Sequence, residues 1–151
     1  MSQDGDRVDL ETSLGYLLKE ASSVLRAEME EVLRPLGMTV TQYSCLELLA
    51  QRPGLSNSQL ARGAFVTRQS MNVLLKALES DGMVTRNVEA PVGKALPTRL
   101  TPRGRRGLDA ASAAVRSVEL RMLAGLTDDE RSSGRRILRS MISSLRGDEL
   151  G

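Results

Sequence analysis

The chain has no histidine and only one cysteine, Cys45, among its 151 residues. It therefore contains no Cys/His zinc set, no Ser-His or Cys-His catalytic pair and no internal disulfide. Most familiar catalytic sites are thereby excluded, and we expect no enzymatic activity, no metal and no cofactor. The adjacent carboxylates Asp128 and Asp129 are better explained as favourable charge at the start of a helix.

Long apolar runs are also missing. None approaches the roughly 20 residues of a membrane helix, and the polar N-terminus lacks the apolar region of a signal peptide. We therefore expect a cytoplasmic protein. Its length corresponds to one domain, with or without an appended oligomerisation element.

Charge of one sign is not in large excess. The net charge is +2 and the isoelectric point is about 9.0, so charge alone does not indicate nucleic-acid binding. Its distribution is uneven, because acidic residues crowd the N-terminal part whereas arginines gather at positions 99, 103, 105 and 106.

The segment from Leu55 to Arg86 is the most informative part of the chain. Ser56 and Gln59 have the spacing of a capping box, which predicts that a short helix opens at Ser56. A second helix is predicted to open at Thr67, after a turn carrying Gly63. Its apolar residues are spaced to lie on one buried face, namely Met71, Leu74, Leu75 and Leu78. Two capped helices joined by a tight turn form a helix-turn-helix.

Four polar side chains are predicted to point outward from the second helix: Arg68, Gln69, Asn72 and Lys76. These residue types bind base edges and phosphates. Arg68 and Gln69 occupy the first turn, from which a recognition helix contacts bases in the major groove. Lys76 lies further along and is either a phosphate contact or plain surface. Further phosphate contacts are predicted where the two helices begin, at Ser56, Asn57, Ser58, Thr67 and Ser70.

A small β-hairpin is predicted to follow. Met83–Arg86 and Leu96–Leu100 are typical of short strands, and they bracket a loop, Asn87–Ala95, that contains proline and glycine. This hairpin is the candidate wing. Arg86 is predicted either to contact DNA or to anchor the wing through a salt bridge. The expected fold class is mainly α with a small β-wing, a winged helix-turn-helix flanked by further helices.

Those further helices have clear boundaries in the sequence. One runs from about Leu10 to Leu33 and is ended by Pro35 and Gly37; another starts at Thr39. Two more are predicted at the C-terminal end. The first opens at Thr101-Pro102 and runs to about Leu123, and the second follows the capping box of Thr127 and Glu130 and runs to about Leu145.

The first helix and the last two carry more apolar surface than a small winged domain can cover. Association of two chains would bury these residues and would place two recognition helices about one DNA turn apart. Alternatively, the helices fold back on their own winged domain. We assign residues 1–36 as an N-terminal dimerisation helix, 37–101 as the DNA-binding region and 102–151 as C-terminal dimerisation helices, within one compact domain.

An ordered set of motifs accompanies these helices: Thr41-Gln42-Tyr43, Leu60-Ala61, Val66-Thr67-Arg68-Gln69-Ser70-Met71, the stretch from Leu78 to Arg86 and Leu100-Thr101-Pro102-Arg103-Gly104. Over nearly the whole chain, this order resembles the MarR family of bacterial transcription regulators. The resemblance implies a homodimer that binds a pseudo-palindromic DNA operator, usually as a repressor. It also implies release by a small effector, often phenolic or aromatic.

The wing departs from the family pattern. Members often carry Asp-x-Arg there, whereas this chain has Val92-Gly93-Lys94. The resemblance gives Lys94 the role of the wing-tip cation in the minor groove, although lysine lacks the planar fork of arginine. The alternative is a solvated loop lysine.

The resemblance also implies an effector site between the dimerisation helices and the winged region. Tyr16, Tyr43 and Cys45 are its candidates, and core packing is the alternative for each. Some family members sense oxidants through cysteine, but Cys45 lies on an apolar stripe, which predicts a buried thiol with a high pKa. A competing function is a winged-helix module that binds another protein; DNA binding would be distinguished by its steep salt dependence.

Overall fold

The computed structural model describes residues 3–86 and 98–148. In these two ranges the chain forms six α-helices: α1 (Leu14–Leu33), α2 (Val40–Gln51), α3 (Asn57–Gly63), α4 (Arg68–Ser80), α5 (Pro102–Leu123) and α6 (Asp128–Arg146). Strands β1 (Val84–Thr85) and β2 (Arg99–Leu100) pair antiparallel, with Val84 opposite Leu100. The expected fold class, mainly helical with a small sheet, is confirmed.

Side-chain caps define where the helices begin. The predicted capping boxes form at Thr39, Ser56 and Thr127, each with a reciprocal bond to the residue three positions later. The first helix starts later than the predicted Leu10, because the Ser13 hydroxyl accepts the backbone N–H of Tyr16 at 3.2 Å and caps the helix there.

The end of α1 is as predicted. A 3-10 turn, Arg34–Leu36, follows directly, and Gly37 takes a left-handed φ of 71°. Glycine adopts this conformation without a Cβ clash, so the chain reverses into α2.

The core lies among α2, α3, α4, β1 and the first half of α5. Its fully enclosed side chains include Leu46, Leu60, Met71 and Leu75. The paired strands are shorter than predicted, at two residues each. The candidate wing loop, including Lys94, lies outside the described residues.

The chain divides into two compact units, one ending at Val118 and one starting at Glu119. In the second unit, Arg131 Nη2 donates to the Leu123 carbonyl at 2.9 Å and joins α6 to the end of α5. No described helix is long and apolar enough to cross a membrane.

Large apolar side chains remain exposed in both units. Several of them lie on α1 in the first unit and on α5 and α6 in the second. These are Leu14, Leu17, Leu18 and Val24, then Leu120, Met122, Ile137, Leu138, Ile142 and Leu145. These are residues of the stripes that the sequence assigns to dimerisation.

Candidate nucleic-acid interface

Helices α3 and α4 form the predicted helix-turn-helix and are joined by a side-chain bond. Asn57 Nδ2, at the start of α3, donates to Asn72 Oδ1 in the second turn of α4 at 2.8 Å, and both residues are partly buried. The bond fixes the start of α3 against the middle of α4. Asn57 and Asn72, each predicted to contact DNA, therefore lie together and bind each other.

The start of α4 carries the predicted base-reading residues. Thr67 caps the helix, accepting the backbone N–H of Ser70 at 3.1 Å. Arg68, Gln69 and Ser70 are exposed in the first turn, and Lys76 is exposed further along. The opposite face carries the predicted core residues, of which Met71, Leu75 and Leu78 are buried and Leu74 is partly buried.

The remaining predicted contacts differ in exposure. Ser56 is exposed, whereas Ser58 is partly buried. Arg86 follows β1 and is partly buried; its Nε and Nη2 atoms are enclosed and have no hydrogen-bond partner among the described residues. The guanidinium is therefore partly enclosed, although the residue as a whole is only partly buried.

The charged residues of the segment 48–78, which includes α3 and most of α4, are all of one sign. No acidic residue occurs between Glu47 and Glu79, whereas four cations do: Arg52, Arg62, Arg68 and Lys76. All four are exposed. A surface with this composition attracts polyanions.

The turn between α3 and α4 differs from the prediction. Gly63 is the last residue of α3, where a Cβ atom would lie 3.0 Å from Leu48 Cδ1, so its small size serves packing. Phe65 instead takes the left-handed conformation, with φ 60°, and its side chain is 89% exposed. Phe65 is not among the contacts predicted from the sequence. A signal was present, since it is the only phenylalanine.

Cys45 lies on α2 and is fully buried in the hydrophobic core, as predicted. Burial raises the pKa of the thiol to about 11, although the positive charge of Arg86 acts in the opposite direction. This cation is distant in sequence and was therefore not anticipated. A protonated, enclosed thiol is a poor nucleophile.

The two candidate tyrosines have different surroundings. Tyr16 is 45% exposed on α1, whereas Tyr43 packs against the core and contacts Glu47. Burial by itself would raise the pKa of Glu47, but hydrogen bonds from Gln51, Tyr43 and Ser112 outweigh it and lower the pKa. Glu47 is thus favoured as a carboxylate, whose Oε1 accepts a hydrogen bond from Gln51 Nε2 at 2.8 Å.

A cleft of about 440 Å³ lies in the first unit, within the size range of small-molecule sites. Its walls combine apolar groups with charges of both signs. The lining includes Leu36, Met38, Met83, Asp81, Arg103 and Arg106. Tyr16, Tyr43 and Cys45 are not among its lining residues.

A helix-turn-helix with a cationic, exposed recognition helix and a short hairpin defines a winged-helix DNA-binding protein. Residues 36–95 match the model of the MarR family. The HTH-type transcriptional repressor Rv2887 of Mycobacterium tuberculosis is 44% identical over 128 residues, which cover 85% of this chain and 92% of that protein. The chain belongs to the MarR family and is a transcription regulator.

Solved structures of the same relative also match. The complex of Rv2887 with DNA is 42% identical, covers 86% of this chain and 98% of that chain, and has a TM-score of 0.70. The complex of Rv2887 with p-aminosalicylic acid is 44% identical at the same coverages, with a TM-score of 0.71. Family and relatives are named as transcription regulators, not as enzymes.

Proposed function

We propose that this chain is a homodimeric repressor that binds a pseudo-palindromic DNA operator and leaves it when a small aromatic acid or phenol binds. The observation that carries the proposal is the exposed first turn of α4, with Arg68 and Gln69 on a segment free of acidic residues. The DNA complex of Rv2887 supports the same use of this fold.

The contacts with DNA divide into two kinds. Arg68 and Gln69 contact base edges, Arg with guanine and Gln with adenine, from a helix N-terminus in the major groove. The hydroxyls of Ser56, Ser58, Thr67 and Ser70, together with Lys76 and the wing lysine Lys94, contact the backbone or the minor groove. Asn57 and Asn72 position the two helices through their mutual bond and offer their remaining donor groups to DNA.

Arg86 serves best at the base of the wing. Its enclosed Nε and Nη2 atoms favour an anchoring role over direct DNA contact. The anchor would hold the hairpin so that its tip reaches the minor groove.

Dimerisation is supported by the apolar side chains that each unit leaves exposed. Leu138 and Ile142 on α6 are 44% and 47% exposed, as expected of apolar residues that become buried when two chains associate. MarR regulators are dimeric. Two-fold symmetry then presents two copies of α4 to consecutive major grooves.

For the effector, the p-aminosalicylic acid complex of Rv2887 suggests a planar aromatic carboxylate. Tyr16 and Tyr43 offer aromatic rings, whereas Cys45 is enclosed in the core against which Tyr43 packs. The cleft beside Arg103 and Arg106 is a second candidate, because these two cations outnumber its one acidic residue, Asp81, and suit a carboxylate. Effector binding would change the separation of the two recognition helices and so weaken operator binding.

The test is a fluorescence-anisotropy titration against DNA from upstream of its own gene, with a salt series. We expect tight binding at dimer stoichiometry that weakens steeply with salt. Arg68→Ala should weaken it by about tenfold or more, whereas Arg116→Ala, an exposed α5 arginine, should not. Binding no tighter than to random DNA of equal length would contradict sequence-specific recognition of this DNA.

The effector is tested in the same assay with p-aminosalicylic acid. Release of DNA that is reduced in Tyr16→Leu or Tyr43→Leu, which remove the aromatic ring, would support the tyrosine site, and release reduced in Arg106→Gln would support the cleft. No effect of the acid on operator affinity would contradict its role as effector and would leave DNA binding untouched.

A further inference from the structure

Phe65 combines a left-handed backbone with an exposed aromatic ring. Its φ is 60°, and it is the only non-glycine residue with positive φ among those the structure describes. Its neighbours Ala64 and Val66 both pack against the core, so the chain is held on either side while the phenyl ring between them is 89% exposed.

Backbone hydrogen bonds fix this conformation. The N–H of Phe65 donates to the Arg62 carbonyl at 3.3 Å, and the N–H of Val66 donates to the Ala61 carbonyl at 3.0 Å. The turn would form more readily with glycine, which adopts positive φ without a Cβ clash and exposes no ring to water. A bulky aromatic at such a position points to a use for the side chain.

The location of Phe65 indicates what covers it. It stands two residues before Thr67, the cap of α4, and so beside the first turn that enters the major groove under the proposed function, on which this inference rests. Arg62 and Arg68 flank it and are exposed, and the acid-free segment surrounds it. These charges favour a polyanion over a second copy of this face, which would bring like charges together.

We propose that the ring of Phe65 packs against the operator at the edge of the major groove, on the apolar surface of a deoxyribose or a thymine methyl group. Apolar side chains contact thymine methyls in this way. The contact adds apolar burial to an interface otherwise made of charged and polar groups, and it fixes how deeply the turn sits against the duplex.

The test is Phe65→Gly in the anisotropy assay, with urea unfolding and sedimentation of the same samples. We expect operator affinity to fall by about tenfold, with an unchanged salt dependence, since no phosphate contact is removed. The dimer should persist, and stability should stay equal or rise because the backbone strain is relieved. Phe65→Leu should retain most of the affinity, because it keeps a large apolar side chain at this position.

DNA in which deoxyuridine replaces thymidine separates the two surfaces. If the deoxyuridine substitution lowers the affinity of the wild type but not that of Phe65→Gly, the ring contacts a thymine methyl. If the substitution changes the affinities of both proteins by the same factor, the ring contacts the sugar. Wild-type affinity in Phe65→Gly, or a loss accompanied by unfolding or dissociation of the dimer, would overturn the inference. Failure of the wild type to bind any operator would instead overturn the proposed function.

Discussion

A Cβ atom on Gly104 would lie 2.0 Å from the carbonyl oxygen of Met83. The first turn of α5 thus rests directly on the backbone that leads into β1. Around this contact the backbone N–H of Thr101 donates to the same Met83 oxygen at 3.1 Å, and the Thr101 hydroxyl donates to the Gly82 carbonyl. The base of the hairpin and the start of α5 are therefore packed and hydrogen-bonded to each other.

Gly104→Ala should consequently destabilise the protein. Overpacking against backbone that is held by hydrogen bonds typically costs about 1–3 kcal/mol or more, which urea unfolding followed by circular dichroism would measure. Gly134→Ala is the matched control, because Gly134 lies within α6 and a Cβ there meets nothing within 4 Å. That control should be neutral or stabilising; equal effects of the two changes would contradict the packing argument.

The Asn57–Asn72 bond predicts coupled mutations. Asn57→Ala and Asn72→Ala should each lower stability by about 1 kcal/mol, and the double variant should lose less than the sum, because either change removes the same bond. A double-mutant cycle by urea unfolding measures the coupling. Additive losses would mean that the two side chains act separately.

The Cys45 thiol should be unreactive in the folded protein. With a pKa of about 11, only about one thiol in a thousand is ionised at pH 8. Labelling with a coloured disulfide reagent at pH 8 should be slow in buffer and fast in denaturant. Since this is the only cysteine, the signal comes from one site. Rapid labelling without denaturant would show that the thiol is accessible.

Glu47 should make the first unit sensitive to acid. Because its folded pKa lies below the ordinary value of 4.5, the carboxylate stabilises the fold above that value, and this stability is lost as pH falls through the folded pKa. Glu47→Gln should therefore flatten the loss of stability below about pH 5. Glu79→Gln, at an exposed position on α4, is the control; an unaltered acid profile in Glu47→Gln would contradict the role.

The exposed face of α6 should hold the dimer together. Ile142→Glu is expected to shift the protein towards monomer in sedimentation velocity, with helicity retained and operator affinity reduced. Ser133→Glu, an exposed polar position on the same helix, serves as the comparison. If Ile142→Glu unfolded the chain but left the mass of the sedimenting species unchanged, α6 would instead be packing within its own protomer.

Local signals predicted much of this fold. Capping boxes at Thr39, Ser56 and Thr127 depend only on residues three positions apart, so the helix starts were readable from the sequence. The left-handed conformation of Phe65 could not be predicted in this way, because glycine is the usual residue at positive φ and the prediction placed Gly63 in the turn. The proximity of Arg86 to Cys45 and the bond from Asn57 to Asn72 depend on tertiary packing, which periodicity does not encode. The DNA contacts of Arg68 and Gln69 remain predictions.

Arginine and lysine are the only charged side chains of residues 48–78, which include α3 and most of α4. Attraction between such a surface and DNA weakens as salt rises, because the release of counterions favours binding less at high ionic strength. The ionic strength of the surroundings therefore sets how firmly the protein holds its operator.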